Sequence, residues 1–279
     1  MERDIYKKWD KFLYLLQNRS FIQVEVLKFL TLFHNPTEYY DEIALAEFTA
    51  WLYKTKKPPS FVNKLTKGTQ KSINELIPEK VHRVITFAIE NMVKAVLSGT
   101  RFITPHPFPA FSLEQREEKV RKVIQIYTRA ASAEGAITGA GGLLMGLADF
   151  PAFLSIKMKM LFEISASYGY DVRDFKERLF MLYIFKLTFA SQETRNTTID
   201  IIENWGEYQE KFPEGLEAFD WKTFQLEYRD YMDLAKLAQL IPIIGAGVGA
   251  IANFKLSGKL AETAMQCYRG RYFDWDAVR

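Results

Sequence analysis

The sequence predicts an all-α protein, a multi-helix bundle holding two glycine-rich apolar helical segments. Three observations carry this. Apolar residues recur every three to four positions through most of the 279 residues. No two stretches alternate in strand fashion across a hairpin turn signal. Eight of the fifteen glycines fall in two uncharged stretches, which begin at Gly135 and Leu240.

The elements follow in order. Residues 4–18 place Tyr6, Trp9, Leu13 and Leu16 a turn apart behind Asp4. This is a core-facing helix, or a membrane-surface helix flanked by Lys7, Lys8 and Lys11. Residues 20–33 begin with alternation at Ile22, Val24 and Val26, yet continue as helix through Leu27, Leu30 and Phe33. Helix is favoured, because no partner strand is near. A helix over 38–54 carries Ala44, Phe48, Trp51 and Leu52 on one side. Pro58 and Pro59 break the chain beside a short, solvated lysine run.

Helices resume over 61–76 and 79–98. The second has Val81, Val84, Ile85, Ala88, Met92 and Val96 as its buried stripe, and Gly99 as its close. Pro105, Pro107 and Pro109 mark a loop over 100–111, packed down by its phenylalanines and suited to a hinge or internal boundary. Ser112-Leu-Glu-Gln115 has capping-box spacing and opens a helix toward Ala133. After the first glycine-rich stretch, a helix runs from Pro151 to Tyr168 and closes at Gly169, with Asp149 as its N-cap. Asp174 caps the next, to about Ser191. Helices over 194–211 and 219–239 follow. The second glycine-rich stretch leads to a last helix over 255–272.

Composition excludes some functions. The net charge of +3 gives no reason to expect nucleic acid as a partner. The single cysteine, Cys267, forbids an internal disulfide and fits a reducing compartment. The first residues hold no apolar signal core, so a cytoplasmic location is expected. Aromatic content of 15% suits cores and membrane interfaces alike.

The glycine-rich stretches are the unusual feature. Each helical glycine costs about 1 kcal/mol relative to alanine, so five between Gly135 and Gly146 need a reason. Gly135 and Gly139, Gly142 and Gly146, and Gly245 and Gly249 are each four apart, and each pair flattens one helix face for close backbone approach. Such faces serve a tight core or contact with lipid. The run from Gly135 to Ala148 is uncharged but shorter than the roughly 20 residues a membrane span needs. A core hairpin or a dipping, re-entrant segment is therefore expected.

Among the polar residues, Asp149 is a carboxylate in apolar surroundings, which as an alternative to capping could relay a proton. Asn253 is expected to satisfy buried backbone, or else to pair with Asp149. Arg269 and Arg271, among Tyr268, Tyr272, Phe273 and Trp275, fit a solvated C-terminus with docked aromatics or a lipid-phosphate site. Lys157 and Lys159 read as the solvated edge of a buried helix. No P-loop, zinc-protease motif or nucleophile elbow is present. Glu79 and His82 have one half of a di-iron spacing without the other. Gly245-x-Gly247-x-x-Ala250 lacks any βαβ unit. No cofactor or metal is implied.

Gly139-Ala-Gly-Gly-Leu-Leu-Met-Gly-Leu-Ala-Asp-Phe-Pro151, followed by Met160-Leu-Phe-Glu-Ile-Ser-Ala-Ser-Tyr-Gly-Tyr-Asp171, resembles the central signature of the EcsC family. Ile241-Pro-Ile-Ile-Gly-Ala-Gly-Val-Gly-Ala-Ile-Ala-Asn-Phe254, with Tyr268-Arg-Gly-Arg-Tyr272, is similar to its C-terminal signature. The resemblance covers about residues 60–272 of a single domain over 1–279, with 1–59 as a helical extension. It implies a bacterial, intracellular, membrane-related protein whose founding member is encoded beside an ABC-type exporter. It carries over no catalytic residue. The expected function is that of a non-catalytic accessory, peripheral to the inner face of the cell membrane, with lipid or a membrane protein as partner. A hydrolase or lipid-modifying enzyme using Asp149, and a binder of an apolar small ligand, are the alternatives.

Overall fold

The computed structural model describes residues 36–56, 79–99, 105–109, 112–140, 142–190, 192–220, Phe224, Tyr228 and 246–275. The helices expected over 4–18, 20–33 and 61–76, most of that over 219–239, and Gly245 lie outside the described residues. The described residues are helical with no strand, as an all-α bundle requires. The chain divides into two compact units, Met1–Ala46 and Glu47–Arg279. The proline-rich loop thus lies inside the second unit and marks no boundary.

The helices are α1 (Pro36–Lys56), α2 (Glu79–Ser98), α3 (Leu113–Ala140), α4 (Gly142–Ser167), α5 (Phe175–Phe189), α6 (Gln192–Glu203), the single turn α7 (Trp205–Tyr208) and α8 (Ala246–Phe273). Two 3₁₀ turns, Gln209–Lys211 and Leu216–Ala218, follow α7.

Local chemistry sets several ends as expected. Gly99 closes α2 at φ +67°, a left-handed conformation that costs other residues about 1–2 kcal/mol. Ser112 Oγ accepts from the Gln115 amide at 3.3 Å and starts α3. Asp174 accepts from the Lys176 amide at 2.9 Å and starts α5. Gly169, at φ +92°, ends α4 in a Schellman motif: the Tyr170 amide donates to Ser165 O (3.2 Å) and the Gly169 amide to Ala166 O (3.0 Å). The loop over 105–109 is pinned where the Phe108 amide donates to Ala166 O at 2.7 Å.

Two boundaries differ from expectation. The helix expected from Pro151 begins at Gly142, so Asp149 lies within α4 and is not its N-cap. A proline inside a helix costs about 3 kcal/mol through a lost hydrogen bond and a clash. Here Phe150, Phe153 and Leu154, all buried beside it, hold the turn in place. The last helix likewise begins at Ala246 and not Lys255. In both cases packing outweighs the local preferences of glycine and proline.

The core of the second unit is built around α5. From Leu179 to Phe189 every residue of α5 is buried. A helix apolar all round can exist only with neighbours on every side, and α2, α4, α6 and α8 supply them. Aromatic rings continue outward from its flank. Tyr183 meets Trp205 and Tyr208, and Phe212, Phe219 and Phe224 extend the chain of contacts. Tyr228 Oη donates to Leu182 O at 2.9 Å.

The helices α3, α4 and α8 form the long axis. Tyr168, just past α4, bonds Glu117 in the first turns of α3, and only one residue separates the other ends of the pair. These two helices therefore form an antiparallel hairpin. Arg269, near the end of α8, also bonds Glu117, and α8 packs along α3 more extensively than any other pair of the described elements. So α8 runs antiparallel to α3 as well.

Candidate functional site

The three-helix axis has two unlike ends. One end is polar, and sequence reasoning missed its central residues. Glu117 is fully buried on α3. Its Oε1 accepts from Arg269 Nε (2.6 Å) and Tyr168 Oη (2.9 Å), and its Oε2 accepts from Arg269 Nη2 (2.7 Å). Arg269 Nη1 reaches Glu47 at 2.7 Å. Glu177, buried on α5, makes a second such site. Its Oε1 accepts from Tyr268 Oη (2.6 Å) and Ser165 Oγ (2.8 Å), and its Oε2 from Arg271 Nη1 (2.6 Å). The rings of Tyr168 and Tyr268 stack at 5.1 Å and join the two sites. The Schellman turn at Gly169 sets Tyr170 under Arg271, whose guanidinium lies 3.7 Å from the ring centre.

Electrostatics make these sites fixed clamps. Burial lowers the Arg269 pKa, but the bonds from Glu117 outweigh it and leave the pKa above the ordinary arginine value. Burial, then the charge of Glu177, raise the Tyr268 phenol well above its usual range, so it stays a neutral donor. Each carboxylate accepts three hydrogen bonds, which suits holding four helices together.

Arg269 and Arg271 therefore do not form the solvated C-terminus expected of them, because their guanidinium groups meet protein carboxylates. The aromatic docking beside them is present. Asp274 turns the chain back at φ +62°, and the Trp275 ring lies where a side chain on Gly270 would stand. That ring meets Phe48 edge-on at 5.0 Å. Lys159 is exposed as expected, but Lys157 is buried, with Nζ 3.0 Å from the Phe153 ring centre. A faint signal for Glu117 exists in sequence: it interrupts the apolar stripe Leu113, Val120, Val123. Glu177 likewise interrupts Phe175, Leu179, Phe180.

The opposite end gathers the glycine-rich segments. At 1.5 Å per residue, Ala140 stands about 35 Å from Glu117, Gly142 about 39 Å from Tyr168, and Ala246 about 35 Å from Arg269. Three helix ends thus meet at one level. Gly135 and Gly139 lie in α3, Gly142 and Gly146 in α4, and Gly249 in α8. From Gly135 to Ala148 and from Ala246 to Ile251 the sequence carries no charge. Beside this end α8 exposes Ile251 (59%) and Phe254 (52%), three residues apart on one face.

Asn253 lies one residue away from Phe254 and points inward. It is buried, and its Oδ1 has no hydrogen-bond partner. The expected bond to buried backbone is therefore not made at that atom. The Asp149 carboxylate falls outside what the structure describes. Among the described residues no group of three His, Cys, Asp or Glu could hold a metal, and no helix is long and apolar enough to cross a membrane.

The comparison with family models decides what this two-ended bundle is: the EcsC protein family model matches residues 42–273. This chain belongs to the EcsC family. The match begins earlier than the resemblance in sequence suggested and includes the α1 turn that bears Glu47. Among the relatives is the protein EcsC of Bacillus subtilis (strain 168), 42% identical over 232 residues, covering 83% of this chain and 95% of that protein. An uncharacterized protein YdbA of the same organism is 26% identical over 258 residues, covering 85% of this chain and 94% of its own length. No solved structure matches. The EcsC-family bundle thus joins a clamped polar end to an apolar, glycine-rich one.

Proposed function

We propose that this EcsC-family protein is a non-catalytic, peripherally membrane-associated accessory protein that rests its glycine-rich end on the inner face of the cell membrane. One observation carries the reading. Ile251 and Phe254 are more than half exposed on one face of α8, where three uncharged helix ends meet. Large apolar side chains beside such an end favour a lipid or membrane-protein contact. The absence of a span-length apolar helix among the described residues suits docking in one leaflet. The helix-packing glycines let α3, α4 and α8 converge closely enough to enter as one wedge. A link to an ABC-type exporter, implied by the family resemblance, would place a membrane protein beside the same end.

Vesicle flotation of the purified chain tests this. Wild type is expected to float with phosphatidylcholine vesicles, and Ile251→Glu/Phe254→Glu to lose at least tenfold in binding, given about 1.5–3 kcal/mol for burying each side chain. Gly142→Leu is expected to weaken flotation by prising the helix ends apart, and Asp149→Asn to leave it unchanged. Flotation that is insensitive to Ile251 and Phe254 sinks the proposal.

A further inference from the structure

We infer that α8 consists of two halves joined at Gly258, and that the upstream half, residues 246–257, is an arm that leaves the bundle to lay Ile251 and Phe254 on lipid. The inference rests on the membrane docking proposed above and adds the moving part that performs it.

The upstream half is built inside out. Among the described residues before Gly258, the buried side chains of α8 are Asn253 and Ser257, both polar. The large apolar ones, Ile251 and Phe254, are exposed. At about 100° per residue, Asn253 and Ser257 share one face, and the face of Ile251 and Phe254 lies about 110° round the helix. A helix at rest in a bundle surrounded by water carries the opposite order.

Burial leaves the two polar groups unsatisfied. Asn253 Oδ1 and Ser257 Oγ have no hydrogen-bond partner, and each such group disfavours the closed arm by roughly five- to a hundredfold. Release gives both groups to water and the apolar face to lipid, which is the order of an interfacial helix.

The downstream half has the ordinary order and is held. Leu260, Ala261, Ala264, Cys267 and Tyr268 are buried, and Glu262 is exposed. Gln266 Oε1 also lacks a partner, but the bonds of Tyr268, Arg269 and Arg271 to Glu177 and Glu117 keep that turn closed. Between the halves stands Gly258. Nothing lies within 4 Å of the point a Cβ would occupy there, so packing does not require glycine. Glycine instead weakens the helix at that point, by roughly fivefold relative to alanine.

Thiol labelling in solution, without vesicles, tests the arm. Cys267, the single native cysteine, is buried in the clamped half. Ser257→Cys places a second thiol in the arm with little change of size. The thiol at position 257 is expected to react with a maleimide at least about tenfold faster than Cys267, because it opens without global unfolding. Asn253→Leu and Gly258→Ala, each added to Ser257→Cys, should slow that reaction by roughly fivefold. Amide exchange on the wild-type chain makes the same comparison with no substitution: residues 253–257 should exchange at least about tenfold faster than 260–267. Phosphatidylcholine vesicles should speed labelling at position 257 and not at Cys267. Equal rates in the two halves, or a rate at position 257 that ignores Asn253→Leu and Gly258→Ala, overturns the arm and leaves the docking standing. Fast labelling at position 257 in a protein that does not float removes the docking, and with it the lipid destination of the arm.

Discussion

Replacing Arg269 by methionine should be among the most damaging single changes in the second unit. The Arg269 side chain is 5% exposed and that of Glu117 is 0% exposed. Methionine has a similar length and no charge, so the change removes both close guanidinium bonds from the buried Glu117 carboxylate and leaves Tyr168 Oη at 2.9 Å and the Arg121 guanidinium at 3.8 Å. Removing one partner of a buried ion pair costs about 3–5 kcal/mol. The bond from Arg269 to Glu47 adds little, because Glu47 is 58% exposed. At about 2–4 °C per kcal/mol for a unit of this size, the melting temperature should fall by on the order of 10 °C. Glu117→Leu should cost a similar amount, because it leaves a guanidinium buried. Glu117→Leu/Arg269→Met removes both charges. It should recover most of the loss, less about 1–3 kcal/mol for the unpaired Tyr168 hydroxyl. Urea unfolding of the four proteins closes the cycle and should yield a coupling of at least about 2 kcal/mol. Single-variant losses below about 1 kcal/mol, or additive losses, would refute the view that this pair clamps the bundle.

Three further outcomes are expected. Gly169→Ala should destabilise by at least about 1 kcal/mol, seen in thermal unfolding, because φ +92° disfavours a side chain and the new Cβ would strike the Arg116 guanidinium. Cys267 is fully buried, and burial raises its thiol above the usual range. It should resist Ellman's reagent in native protein and react promptly in denaturant. The hydrogen bonds from Arg173 lower the Asp171 pKa from 3.8 to about 2. Its contribution to stability is therefore complete above about pH 4 and lost as pH falls from there to about 2. A carboxyl NMR titration should show the low midpoint, and Arg173→Gln should return it to the ordinary range.

Helix positions were legible where local chemistry is self-sufficient. The stripe of α2 with Gly99, the Ser112 start, the Asp174 cap and the Gly169 close each rest on residues within a turn of one another. The start of α4 was not legible. Asp149-Phe-Pro151 has the local form of a helix start, and only the burial of Phe150, Phe153 and Leu154 shows the helix running through it. The C-terminal arginines were misread for a related reason. Nothing near Arg269 and Arg271 in sequence reveals Glu117 and Glu177, which lie far away along the chain and arrive only when four helices pack.

The sequence alone determined the helical class, the family signatures and the two uncharged glycine-rich segments, because periodicity, caps and composition are properties of neighbouring residues. Tertiary structure decided which ends of α3, α4 and α8 meet, so that glycines from three helices share one end and buried carboxylates the other. The physical reason is that an antiparallel arrangement sorts residues by their distance along the bundle axis, and that distance exists only once the helices lie side by side.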